Sequence, residues 1–131
     1  MMDAAFTPAW RLADAIRNGE LSPVALVQSC LDRIDALNPS VNAFVAVRRE
    51  EALEEAAALQ RQIVAGKRLG PLAGLPVGVK DLEDVAGLPT TYGSVPFKDY
   101  RPARDSVQVA RLKAAGAISL GKTNTPEFGF T

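Results

Sequence analysis

The sequence predicts an α/β fold in which N-terminal helices lead into part of a mixed sheet flanked by helices, and three observations predict it. The first half of the chain carries apolar residues at helical spacing between helix-start and helix-stop signals. Beyond residue 70, glycine and proline punctuate the chain. Two short apolar runs, 77–79 and 117–120, then enclose a stretch of helical pattern, and strand, helix, strand in that order belongs to an α/β sheet. A content of 47% hydrophobic and 23% charged residues over 131 positions fits one globular domain.

The elements follow in order. Thr7-Pro8 and Ser22-Pro23 each set a capping hydroxyl before a proline, which has a helical φ and no N–H to satisfy, so a helix is predicted to start at each. In the second helix Leu26, Val27, Cys30, Leu31, Ile34 and Leu37 share one face, and Asn38-Pro39 is predicted to stop it. Residues 41–47 read as extended. Residues 48–65, rich in Ala, Glu, Leu and Gln, read as a helix ending at the left-handed cap Gly66. Residues 1–66 are therefore a mainly helical lead-in and 67–131 the start of the sheet, with a turn but no domain boundary at 66–71. Residues 71–94 are loop-rich around the strand at 77–79. Asp105 is predicted to cap a helix carrying Val109 and Leu112, Gly116 ends it, and 117–120 suits a buried parallel strand.

Composition excludes several chemistries. Lys+Arg and Asp+Glu both count 15, so no net field draws the chain to nucleic acid or an anionic membrane, and neither is expected as a partner. With no histidine, Ser-His-Asp, Cys-His and His-metal sites are excluded within these residues, leaving a carboxylate, tyrosine or lysine for proton transfer. Glu50, Glu51, Glu54 and Glu55 read as a solvated helix face, so no metal is expected, and no cofactor either. Cys30, the single cysteine, lies on the apolar stripe and reads as core. The first ten residues lack the basic and apolar regions of a signal peptide, and no run has the length of a membrane span, so a cytoplasmic address is expected.

Lys80 closes the run Gly74-Leu75-Pro76-Val77-Gly78-Val79-Lys80-Asp81, which puts an ammonium at the C-terminal end of an apolar strand, where α/β proteins place their chemistry. Taken alone, the position fits a lysine that simply reaches solvent. Three linked blocks go further. The first runs from Gly70-Pro71 to Asp81, the second is Gly87-Leu-Pro-Thr-Thr-Tyr-Gly-Ser94, and the third is Asp105-Ser106 with the run from Gly116 through Gly121-Lys122-Thr123-Asn124 to Phe128. In order and spacing they resemble the amidase signature family, as does the lead-in with Asn42-Ala43-Phe44.

The resemblance implies an amidase signature fold, incomplete here, and hydrolysis of carbon–nitrogen bonds in small carboxamides by a Ser-Ser-Lys triad. Lys80 matches the lysine base, which works through a bridging serine held by a cis peptide bond. That role asks for an amine unprotonated near neutral pH, which burial or cationic neighbours favour over the ordinary lysine value of about 10.4. The bridging and nucleophilic serines match a Gly-Ser-rich stretch downstream of Pro126-Glu127-Phe128. They are expected in the missing C-terminal part of the same domain, so the 131-residue chain alone is expected to be inactive. Ser94, Ser106 and Ser119 match other positions of the family. Within the family, the A subunit of the glutamine-dependent transfer RNA amidotransferase is the alternative reading, but Leu82-Glu83 departs from the Asn-Ile pair common in that subunit and favours a free-standing amidase. A non-catalytic remnant or binding module is an alternative of another class. Assembly as a homo-oligomer is compatible with either.

One motif points elsewhere. Gly116-Ala-Ile-Ser-Leu-Gly121-Lys122-Thr123 satisfies the G-x-x-x-x-G-K-T pattern of a phosphate-binding loop. The predicted helix lies before it, whereas a phosphate loop follows a strand and opens a helix, and Pro126 disfavours helical geometry at Thr125. Lys122 is therefore read as structural.

Overall fold

The computed structural model describes residues 4–130. Helix α1 (Ala9–Arg17) is followed by α2 (Pro23–Val41), β1 (Phe44–Val47), α3 (Arg49–Val64), β2 (Pro76–Lys80), α4 (Val107–Ala114) and β3 (Ile118–Thr123). The expected strand, helix, strand order is β2, α4, β3. The sheet order is β1-β3-β2, with β2 parallel and β1 antiparallel to the central β3, so the sheet is mixed.

Several boundaries differ from expectation, each for a local reason. α1 is entered through Pro8 as its N-cap, one residue later than Thr7. Ser22 does cap α2, its hydroxyl accepting from the Ala25 N–H at 3.3 Å. α2 does not stop at Asn38-Pro39. It runs to Val41, because a proline in the last turn removes a single intrahelical donor, and ends on Asn42 in the left-handed region at φ 48°. The Asn38 amide donates to the Phe44 carbonyl at 2.9 Å and accepts from the Phe44 N–H at 2.7 Å, so this side chain docks the first residue of β1. The extended segment consequently begins at Phe44 and not at 41. α4 is capped by Ser106, whose hydroxyl faces the Val109 N–H at 3.4 Å. Asp105 instead accepts from the Ala86 N–H at 2.8 Å and pairs with Lys113 at 2.8 Å.

Two faces of the sheet are covered. Ile118 and Leu120 of β3 pack with Val27 and Leu31 of α2 and Ala52 and Ala56 of α3. Val79 of β2, on the opposite face by strand alternation, joins Val85 and Val109 of α4. Cys30 is half-buried against Leu12, Ile16 and Leu26, and burial pushes its thiol above the usual value, which suits a packing residue. Glu50, Glu51 and Glu54 are exposed as expected. Glu55 departs from the pattern, forming an ion pair with Arg48 at 2.7 Å. Among the described residues no acidic or cysteine cluster has the make-up of a metal site, and no helix is long and apolar enough to cross a membrane.

Candidate active site

Because β2 and β3 are parallel, their C-terminal ends lie side by side at one edge of the sheet, with Lys80 opposite Thr123. The loops that follow them bring residues 81–94 and 124–130 to that edge. Lys80 is exposed there, and no hydrogen bond or ion pair among the described residues engages its ammonium. The desolvation that a lysine base requires is thus not provided by the groups present. Two residues earlier, Gly78 allows close packing: a Cβ there would lie 2.8 Å from Thr123 Cγ2 and 3.2 Å from Phe44 Cζ.

The backbone beside Lys80 is held at several points. The Lys80 carbonyl accepts from the Glu83 N–H, the Asp81 N–H donates to the Thr123 carbonyl at 2.9 Å, and the Asp81 carbonyl accepts from the Tyr92 N–H at 3.0 Å. On the face away from Lys80, Asp81 (2% exposed) and Lys122 (0% exposed) form a buried ion pair at 2.9 Å. The Lys122 ammonium also reaches Thr90 Oγ1 at 2.8 Å, and the Asp81 carboxylate accepts from the Thr91 N–H at 3.2 Å and from the Thr91 hydroxyl at 2.5 Å. No pattern in the sequence gives Asp81, Thr90 or Thr91 a role. All three lie in the blocks around Lys80, but nothing in their spacing says that they meet Lys122.

The same edge carries a group of rings. Tyr92, Phe97 and Phe128 meet with centroids 5.3 to 6.4 Å apart, and Tyr100 stacks on Tyr92 at 6.2 Å. Tyr92 and Phe128 both hold left-handed backbone at φ 53° and 49°, joined by the Phe128 N–H to the Tyr92 carbonyl at 2.7 Å. Burial, then the neighbouring Asp84 carboxylate, raises the Tyr92 phenol above its usual range. Ser94 donates to Glu127 at 2.6 Å and ties the two loops together.

The phosphate-loop pattern resolves as the sequence context required. α4 lies before Gly116, the residues from Ile118 to Thr123 are strand, and no α-helix follows among the described residues. Lys122 points into the protein and is occupied by Asp81 and Thr90. No phosphate can be cradled there.

Residues 25–131 match the family model described as Amidase. The chain belongs to the amidase family. Among its amidase relatives, the chain is 46% identical to an acylamidase of Rhodococcus erythropolis over 93% of its own length and 26% of that protein. It is 47% identical to the A subunit of the glutamyl-tRNA(Gln) amidotransferase of Salinispora tropica, over 98% of its length and 26% of the relative. Among solved amidases, the peptide amidase of Stenotrophomonas maltophilia superposes with a TM-score of 0.89 at 37% identity, over 96% of this chain and 26% of the other. A bacterial aryl acylamidase of the amidase signature family gives 0.90 at 35% identity, over 95% and 26%. The chain thus spans about a quarter of the length of the amidases it matches.

Proposed function

We propose that this chain forms the N-terminal quarter of an amidase domain that hydrolyses carbon–nitrogen bonds of small carboxamides, with Lys80 as its base. The observation that supports the reading is the position of Lys80: an ammonium engaged by none of the described residues, at the carboxyl end of a parallel strand, on backbone tied down through Asp81, in a chain of the amidase family. The remaining part of the domain supplies the relay and nucleophilic serines and covers Lys80, removing it from solvent.

The neutral Lys80 amine takes a proton from the relay serine, which takes one from the nucleophilic serine. The serine oxygen then attacks the amide carbonyl. Collapse of the tetrahedral intermediate breaks the carbon–nitrogen bond, and the proton held at Lys80 returns through the relay to the departing nitrogen. Water releases the acyl group by the same transfers in reverse. The reaction requires no metal or cofactor, and the cytoplasm is the compartment we assign.

A second reading has its own support in the 47% identity to an amidotransferase A subunit, which would add partner subunits and a transfer RNA substrate. Release of ammonia or amine from a panel of primary carboxamides and anilides by the full-length protein separates the two. Turnover of free amides without transfer RNA is expected. Hydrolysis seen only of glutamine, and only with partner subunits and glutamyl-tRNA, would replace the amidase by the amidotransferase component.

A further inference from the structure

We infer that the buried Lys122–Asp81 pair is the positioning device of Lys80, an inference that rests on Lys80 being the base. A buried ion pair is a weak source of net stability, since desolvating two charges offsets much of their attraction, and apolar residues of similar size often serve as well. Its presence asks for another account, and its connections supply one. Asp81 is covalently next to Lys80. Its own N–H is bound to Thr123 of β3, its carbonyl to Tyr92, and its carboxylate to Thr91 and Lys122. Lys122 belongs to β3 opposite Val79 and reaches Thr90. One network therefore joins the last residues of β2, the central strand and the 90–92 loop at the position where the base leaves the sheet.

The arrangement divides labour across the sheet. Successive side chains of a strand point to opposite faces, so Val79 and Asp81 turn toward Lys122 while Lys80 turns away. With Asp81 pinned on the inner side, the direction in which the Lys80 side chain departs is fixed. A bare ammonium on a four-carbon stem has little else to orient it, since no side chain among the described residues holds it. Lys122 is also the counter-charge that keeps the Asp81 carboxylate from turning toward its neighbour. The apparent phosphate-loop lysine thus holds a carboxylate of its own chain. A displacement of the order of 1 Å in a reacting group is worth about a hundredfold in rate, which sets the scale of the effect.

The test uses the full-length amidase and three variants: Lys122→Met, the double variant Asp81→Asn with Lys122→Met, and Lys80→Ala. The double variant removes both buried charges at nearly constant volume, so it is expected to fold even if Lys122→Met, which strands a buried carboxylate, does not. For the double variant, kcat is expected to fall roughly 10- to 100-fold with KM changed less than about threefold and a cooperative thermal transition retained. A folded double variant with kcat within about twofold of the parent would show the pair to be structural only and overturn the inference. A double variant in which KM rises and kcat holds would overturn it too, placing the pair in binding. Lys80→Ala keeps the two readings apart: if it turns over normally, the base assignment itself is wrong.

Discussion

At the scale of single residues, Gly121 has the least freedom. It lies in β3 at φ 148°, and a Cβ there would sit 2.0 Å from the Ala46 carbonyl oxygen and 2.9 Å from Val47 Cα. Both neighbours are backbone of β1 and neither can step aside. Gly121→Ala is therefore expected to separate β1 from β3 and to destabilise by about 3 kcal/mol or more, at the top of the range for overpacking. Chemical denaturation of parent and variant measures it, and a difference below about 1 kcal/mol would contradict this packing. The glycine is visible in the sequence as part of a G-K-T pattern, but its reason is not. What it serves is the approach of a strand distant in the chain, and no local pattern encodes that. The same holds for Lys122, where a structural role is legible but neither its place in β3, which runs past the expected strand 117–120, nor its partner Asp81 is.

At the scale of elements, hydrophobic spacing marks the helices and both parallel strands, because burial on one face imposes a period that sequence displays directly. It fails at ends, where side chains act on backbone across space. Asn38 and Pro39 read as a stop, yet the helix continues because Asn38 is engaged with β1 and the proline falls in a turn with few donors left to lose. Asp105 reads as the cap of α4, yet the cap is Ser106 and Asp105 holds the helix from the side through Lys113. Burial alone would raise the Asp105 carboxyl, but the Lys113 ammonium and the Ala86 N–H outweigh it and hold it below the ordinary value. A carboxyl lowered in the folded state contributes stability that is full above the unfolded value of about 3.9 and is lost as pH falls through the lowered one. Stability of the full-length protein measured from about pH 6 down to about pH 2 is thus expected to decline less steeply below about pH 4 in Asp105→Asn than in the parent. Parallel declines would contradict the pairing.

At the scale of the whole molecule, the described fold leaves much apolar surface open. Phe6, Val64, Val95 and Phe130 are each about four-fifths exposed, and Phe128 is half exposed beside the aromatic group. β2 is an edge strand whose outer side pairs with no other strand among the described residues. Unpaired edges and large exposed apolar side chains favour association, so the 131-residue chain expressed alone is expected to bind an apolar dye and to sediment heavier than a monomer. A dye-excluding monomer with a cooperative thermal transition would instead support a short binding module. The family and the place of the candidate base are legible because three spaced blocks surround Lys80. The surface proposed to cover Lys80 is not, since the matched amidases are about four times as long as this chain. Whether Lys80 is the base is read from the kcat of Lys80→Ala in the full-length protein on an amide that the parent hydrolyses, with folding verified by an unchanged thermal transition. A loss of at least about a thousandfold is expected, the scale for removing a triad member. Turnover within about tenfold of the parent by the folded variant would contradict it.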